Sequence, residues 1–121
     1  MPPDKNPRLD QAVRDQRRRN RLGDEAECQT CGDSTLTHLT KVMGLVLCQC
    51  CLALARGRTI LEAHHIAGRH EGPTLLVCGN CHGELSDLQR DWPEDASLAE
   101  RLELGMADIE LVLARRDARD E

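Results

Sequence analysis

Three Cys-x-x-Cys pairs carry most of the chemistry open to this chain: Cys28 with Cys31, Cys48 with Cys51, and Cys78 with Cys81, with Cys50 as a seventh cysteine outside the pairs. Two residues between thiolates let one tight turn present both sulfurs to a tetrahedral ion, the geometry of a zinc knuckle. A single pair also suits a thiol redox site, whereas three in one short chain point to structural zinc. Histidine is the second resource. His38, His64, His65, His70 and His82 all fall in the same middle stretch, and His64 and His65 are adjacent. On an extended strand two neighbours point to opposite faces. One imidazole can then ligate an ion while the other faces substrate and takes a proton from water, at a pKa of about 6.5 that suits neutral pH.

These groups need elements to hold them. The first knuckle ends in Gly32, placed for a tight turn. Residues 36–43 and 45–48 are short β-type runs with Gly44 between them, a hairpin that the second knuckle closes. Knuckle, hairpin, knuckle is the pattern of a zinc ribbon, and it groups Cys28, Cys31, Cys48 and Cys51. Residues 52–56 read as one helical turn stopped by Gly57. Residues 59–66 read as a strand, 67–73 as a loop with two glycines and a proline, and 74–77 as a second strand running into the third knuckle. Leu85, Leu88 and Trp92 then recur at helical spacing up to Pro93.

The stretch 61–82, LEAHHIAGRHEGPTLLVCGNCH, resembles the HNH endonuclease family. The matching residues are Glu62, the His64-His65 doublet followed by Ile66, the glycine-containing loop, and the terminal Val77, Cys78, Cys81 and His82. The likeness covers roughly a quarter of the chain directly and roughly half with the upstream knuckles. It implies a ββα-metal unit that lies on the minor groove of DNA and cuts a phosphodiester. Carried over residue by residue, His64 matches a metal ligand, His65 the general base, and His82 the second metal ligand at the start of the helix. Arg69 in the loop is a candidate to hold the scissile phosphate, or else a solvated loop arginine. The chain departs from the family pattern at Pro73-Thr74, where an asparagine is usual, and at Ser86, where many members have a further histidine. An ion held by His64 and His82 alone would complete its shell with water and substrate, which suits Mg²⁺ or Mn²⁺. The likeness also offers a second cysteine grouping, Cys48, Cys51, Cys78 and Cys81. Either choice strands one pair, and a second ion using that pair with Cys50 or a histidine would resolve it.

Composition bounds the rest. Apolar residues make up 40% of 121, but Trp92 is the one aromatic, so the core must be built from Leu, Val, Ile and Ala. Such a core is small and wants a staple, which the zinc sites provide. Sixteen basic and 21 acidic residues give a net charge of −5 that hides an asymmetry. Residues 5–21 hold Lys5, Arg8, Arg14, Arg17, Arg18, Arg19 and Arg21 against Asp10 and Asp15, whereas residues 84–121 hold twelve acidic and five basic residues. The basic arm is expected as a short frayed helix or disordered. Its arginines, Arg14, Arg17, Arg18 and Arg19 above all, either neutralise DNA phosphates or serve as a solvated tail or a partner for the acidic C-terminus. At the C-terminus Ser97 and Glu100 form a capping box. Leu98, Leu102, Met106, Ile109 and Leu113 form one apolar stripe, which Gly105 interrupts at a cost of about 1 kcal/mol.

No apolar run is long enough to span a membrane, and residues 1–20 do not read as a signal peptide, so a reducing, cytoplasmic setting without membrane partners is expected. The reading is a small α+β zinc protein in three parts: a basic N-terminal arm (1–25), a zinc-bound HNH-like domain (26–93) with a ββα-metal core and a ribbon-like hairpin, and an amphipathic acidic helix (94–121). Its expected activity is divalent-metal-dependent cleavage of DNA. The other reading is a zinc-ribbon adaptor that binds nucleic acid or protein without catalysis, distinguished by His64 and His82 locked into a closed zinc site.

Overall fold

The computed structural model describes residues 7–120, and the side chains of residues 9–118 within them; Lys5 of the basic segment lies outside the described residues. The architecture is α+β: α1 (Pro7–Leu22), a 3₁₀ turn (Leu36–His38), β1 (Leu39–Val42), β2 (Leu45–Cys48), α2 (Gln49–Ala55), β3 (Leu61–His65), β4 (Thr74–Cys78), α3 (Gly79–Gln89) and α4 (Leu98–Asp120). Two antiparallel hairpins form separate two-stranded sheets, β1 with β2 and β3 with β4. In the second, Leu61 faces Cys78 and His65 faces Thr74 across the pair.

Local chemistry accounts for most of these bounds. Met43 and Gly44 both have positive φ, 52° and 82°, the two-residue turn whose twist matches paired strands. Cys48 and Cys78 each stand at a helix N-cap, and each Sγ accepts a hydrogen bond at 3.4 Å, from the Cys51 and Cys81 amides respectively. Each knuckle is therefore also the start of a helix. This is why α2 and α3 begin three residues earlier than the apolar periodicity predicted: the sulfur satisfies an amide that would otherwise be orphaned. The predicted capping box forms as expected, with the Glu100 amide donating to Ser97 Oγ at 3.2 Å.

There is no single core. One small cluster joins Leu22, Cys28, Leu39 and Cys48; another joins Cys81, Leu85, Ile109 and Val112. Helix α3 lies between them and packs on the 3₁₀ turn, α2, β3, β4 and α4. The bridge from the ribbon to α3 is ionic. His38 is buried, its Nδ1 donating to Asp33 Oδ2 at 2.5 Å and its Nε2 to Glu84 on α3. Burial alone would lower the His38 pKa, but the Glu84 and Asp33 carboxylates outweigh it and hold the pKa above the ordinary value.

Two expectations are corrected here. The basic arm is a 16-residue helix docked on the molecule rather than a frayed or disordered segment. Arg14 Nε donates to Asp87 Oδ1 at 3.0 Å and its Nη1 to Asp91 Oδ1 at 2.9 Å, while Arg18 Nη2 donates to Asp87 Oδ1 at 2.5 Å. The C-terminal helix, in turn, brings only part of its apolar stripe to the core, with Ile109 buried and Leu102 half-buried. Leu98, Met106 and Leu113 are 44%, 51% and 47% exposed, and the inward residues are Arg101, Gly105, Ile109 and Val112. The reason is backbone contact. A Cβ on Gly105 would lie 1.9 Å from the Ile66 carbonyl oxygen, so only glycine lets α4 approach the loop after β3. One turn earlier, the buried Arg101 donates to the Ala67 carbonyl at 3.1 Å and to Glu71 at 3.2 Å. Satisfying that loop's backbone rotates the helix away from its most apolar face.

Gly105→Ala is expected to destabilise the fold by about 1–3 kcal/mol through overpacking, although alanine is the better helix former by about 1 kcal/mol. A denaturant melt in which Gly105→Ala is more stable would refute the close approach. The His38 bridge makes a second test. Folding raises the His38 pKa, so its contribution is complete below the ordinary value of 6.5 and is lost as pH climbs through the raised folded value. Asp33 titrates lower in the folded state and acts in the opposite sense, its contribution fading as acid protonates it. His38→Gln is expected to cost about 3–5 kcal/mol near neutral pH by stranding the buried Glu84 carboxylate and to flatten the decline in stability above neutrality. An unchanged alkaline slope in thermal melts would assign that decline to other groups.

Candidate metal centre and histidine site

Cys28, Cys31, Cys48 and Cys51 come together with all four sulfurs within 4.8 Å of one another. The first pair is held by a turn in which the Gly32 amide donates to the Cys28 carbonyl at 2.8 Å, and the Gln29 amide reaches Val46 on β2 at 2.9 Å. The second pair is the β2–α2 junction. The donor set fits a structural ion: four thiols, Cys28 and Cys48 buried, Cys51 half-buried and Cys31 exposed, with no carboxylate among them. Their acidities diverge. Burial opposes ionisation of Cys28, yet the Cys31, Cys48 and Thr30 amides pull its thiol down to about 6. Burial and the neighbouring sulfurs push Cys51 up. Four crowded sulfurs cannot all ionise unless a cation sits among them. Of the two groupings open from sequence, the ribbon set is the one assembled; among the described residues no other group of three or more His, Cys, Asp or Glu meets the same spacing.

Cys78 and Cys81 stand apart from that cluster, at the β4–α3 junction. Cys50 lies beside Cys78, its amide donating to Asn80 Oδ1 at 3.2 Å. Burial opposes ionisation of Cys78, but hydrogen bonds from Cys81 and Cys50 and the charge of Arg116 lower its pKa.

The histidines divide as alternation on a strand requires. His64 is 2% exposed and meets His82 edge to face, with ring centroids 5.4 Å apart. Glu62, two residues back on the same face of β3, accepts from His82 Nδ1 at 2.5 Å. His65 turns the other way and meets His70 at 5.2 Å. Burial, reinforced by the charges of His82 and His65, depresses the His64 pKa to about 4. His64 is therefore a neutral imidazole at neutral pH, the form that can donate a lone pair. Gln89 on α3 spans both, its Nε2 lying 3.4 Å from His64 Nε2 and 3.3 Å from the His65 carbonyl.

The loop that follows is strained. Gly68, Arg69, His70 and Gly72 all have positive φ, at 67°, 56°, 56° and 75°, and two consecutive side-chain-bearing residues in that region cost about 1–2 kcal/mol each. Such strain persists where the surroundings impose it, often at functional loops. Here the buried Arg101 holds the loop from below, and Arg69 Nη2 donates to the Glu94 carbonyl at 2.6 Å. Arg69 thus borders the histidines with one nitrogen already engaged. Of the arm residues, Arg14 and Arg18 are tied to α3, while Arg17 and Arg19 are exposed.

Glu62 as the His82 partner was readable from the i, i+2 spacing with His64. Gln89, Arg101 and the Asp33–His38–Glu84 bridge were not, because nothing local marks a contact across dozens of residues. Among the described residues, no helix is long and apolar enough to cross a membrane. No protein-family model, curated protein or solved structure matches the chain.

Elemental analysis of the purified chain is expected to find one tightly held ion that Cys28→Ser or Cys48→Ser removes and Cys78→Ser retains. Loss of the ion in Cys78→Ser would overturn the ribbon grouping. Chelation is expected to melt residues 28–51, because metal binding to such a site is folding free energy; circular dichroism unchanged after verified metal removal would contradict that.

Proposed function

We propose that the chain is a divalent-metal-dependent endonuclease of the HNH type that hydrolyses DNA phosphodiester bonds, with zinc in the four-cysteine cluster as its structural ion. The observation that carries this reading is the split of the histidine doublet: His64 faces His82 and Glu62, while His65 faces the opposite way. The order strand, loop, strand, helix around it agrees with the resemblance of residues 61–82.

In this reading His64 and His82 hold Mg²⁺ or Mn²⁺, which would neutralise charge on the departing sugar oxygen. His64 offers a neutral imidazole because burial keeps it unprotonated. His82 is oriented by Glu62, which fixes its Nδ1 as the donor and leaves Nε2 for the ion. His65 accepts the proton of a water whose oxygen bonds to phosphorus as the P–O bond to the sugar breaks, and the departing oxygen is protonated from solvent. Gln89 steadies the strand end behind both imidazoles. In this reading Arg69, on the strained loop, contacts the phosphate being cut.

Nicking of supercoiled plasmid with added divalent metal tests this. His65→Ala is expected to lower the rate by about 10²–10⁴-fold while leaving zinc content and DNA binding intact. His82→Ala is expected to lose cleavage through the ion, with partial recovery at high Mg²⁺ or Mn²⁺. Equal trace activity in wild type and His65→Ala would remove the nuclease and leave the zinc-ribbon adaptor.

A further inference from the structure

Arg14, Arg17, Arg18 and Arg21 lie at i, i+3, i+4 and i+7 on α1 and so share one face of the helix. That face closes against the end of α3, and with Arg90 the four line a cavity of about 220 Å³. Like charges do not gather without cause. Asp87, buried on α3, accepts from both Arg14 and Arg18, and Asp91 accepts from Arg14. These carboxylates anchor the helix. Asp15 takes a further share of Arg18 at 3.1 Å. Arg17 and Arg21 are exposed and have no carboxylate partner among the described residues.

Arg90 also lines a second cavity of about 350 Å³ that includes Gly68, Arg69 and Gln89. Gln89 is the residue that touches both His64 and the His65 backbone. Arg90 therefore joins the arginine cavity to the space beside the histidines. No apolar side chain lines the arginine cavity, which disfavours a lipid surface as the partner. Guanidinium groups at fixed spacing match successive phosphates of a nucleic-acid strand.

We propose that Arg17, Arg21 and Arg90, set on the anchored pair Arg14 and Arg18, form a clamp for the DNA phosphate backbone to one side of the cleavage histidines. The direction of the strand toward Arg69 rests on the nuclease reading; the clamp itself rests on the arginine cavity. The ion pairs of Arg14 and Arg18 are structural members, so the arm binds as a rigid part of the molecule rather than as a flexible tail.

The test is fluorescence anisotropy of the zinc-loaded full chain with a short labelled DNA duplex, without added Mg²⁺ or Mn²⁺ so that cleavage does not contribute. Arg17→Gln/Arg21→Gln/Arg90→Gln is compared with Lys41→Gln/Arg56→Gln/Arg58→Gln, which removes equal charge from exposed sites outside the cavity. The cavity triple is expected to raise Kd at least about tenfold and to reduce the slope of log Kd against log salt by about 0.9 for each phosphate that is no longer neutralised. The control triple is expected to shift Kd by no more than about threefold, as general field only. The double variant Arg17→Gln/Arg21→Gln keeps the α1–α3 ion pairs and must retain the wild-type melt, so weakened binding there is not unfolding.

Equal weakening in the two triples would overturn the clamp, as would absence of duplex binding by wild type. A wild-type melting temperature raised by inorganic phosphate at constant ionic strength, with DNA binding untouched by the cavity triple, would assign the cavity to free phosphate and also overturn it. Should His65→Ala leave cleavage unchanged while the cavity triple still weakens binding, the nuclease reading falls and the clamp stands.

Discussion

Four sulfurs drawn within 4.8 Å of one another are the constraint on which this structure depends. With Trp92 as the one aromatic residue, the chain lacks the large side chains that normally supply buried area. Each of the two apolar clusters among the described residues has four buried members, and each includes cysteine. Apolar burial on that scale does not by itself outweigh the entropy of ordering so many residues. An ion held by the four sulfurs would make up the difference in the ribbon half. Cysteine also starts helices: Cys48 of the cluster caps α2 and Cys78, outside it, caps α3.

The half that carries the histidines is organised differently. Its centre is α3, which touches nearly every other element, and its ties are largely polar: Glu84 to His38, Asp87 to Arg14 and Arg18, Gln89 to His64 and the His65 carbonyl. One helix therefore sets the distance from ribbon to histidines and from histidines to the arginine face of α1. Glycine marks where backbones must meet. A Cβ on Gly83 would lie 2.8 Å from the Thr37 carbonyl oxygen, and one on Gly105 still closer to that of Ile66. Both glycines sit inside helices, where they weaken the helix locally and are kept for the approach they permit.

The proposed chemistry follows from this division. A buried His64 remains neutral because burial disfavours its charged form. His65, one residue on, faces the strained loop. Strand alternation separates the two roles without any further device. The docked α1 gives the proposed DNA surface a fixed geometry, since aspartates hold Arg14 and Arg18 and so fix the helix that carries the exposed Arg17 and Arg21.

Short-range features were legible in the residues alone: the four-cysteine ribbon from the spacing of Cys28, Cys31, Cys48 and Cys51, the hairpin turn from Gly44, the cap from Ser97 and Glu100, the opposite faces of His64 and His65. Each depends on residues a few positions apart, where covalent geometry and backbone hydrogen bonding leave few options. Several decisions belonged to the tertiary structure. It chose between the two cysteine groupings, buried His38 between Asp33 and Glu84, turned α4 so that Arg101 and Gly105 face inward in place of Leu98 and Met106, and set Arg14 and Arg18 on Asp87. These contacts join residues far apart in the chain, and they are decided by which buried carbonyl or carboxylate would otherwise go unsatisfied. Hydrophobic periodicity registers apolar area and carries no record of that need. The leucine stripe of α4 was therefore readable in the sequence, while the face it turns to the core was not.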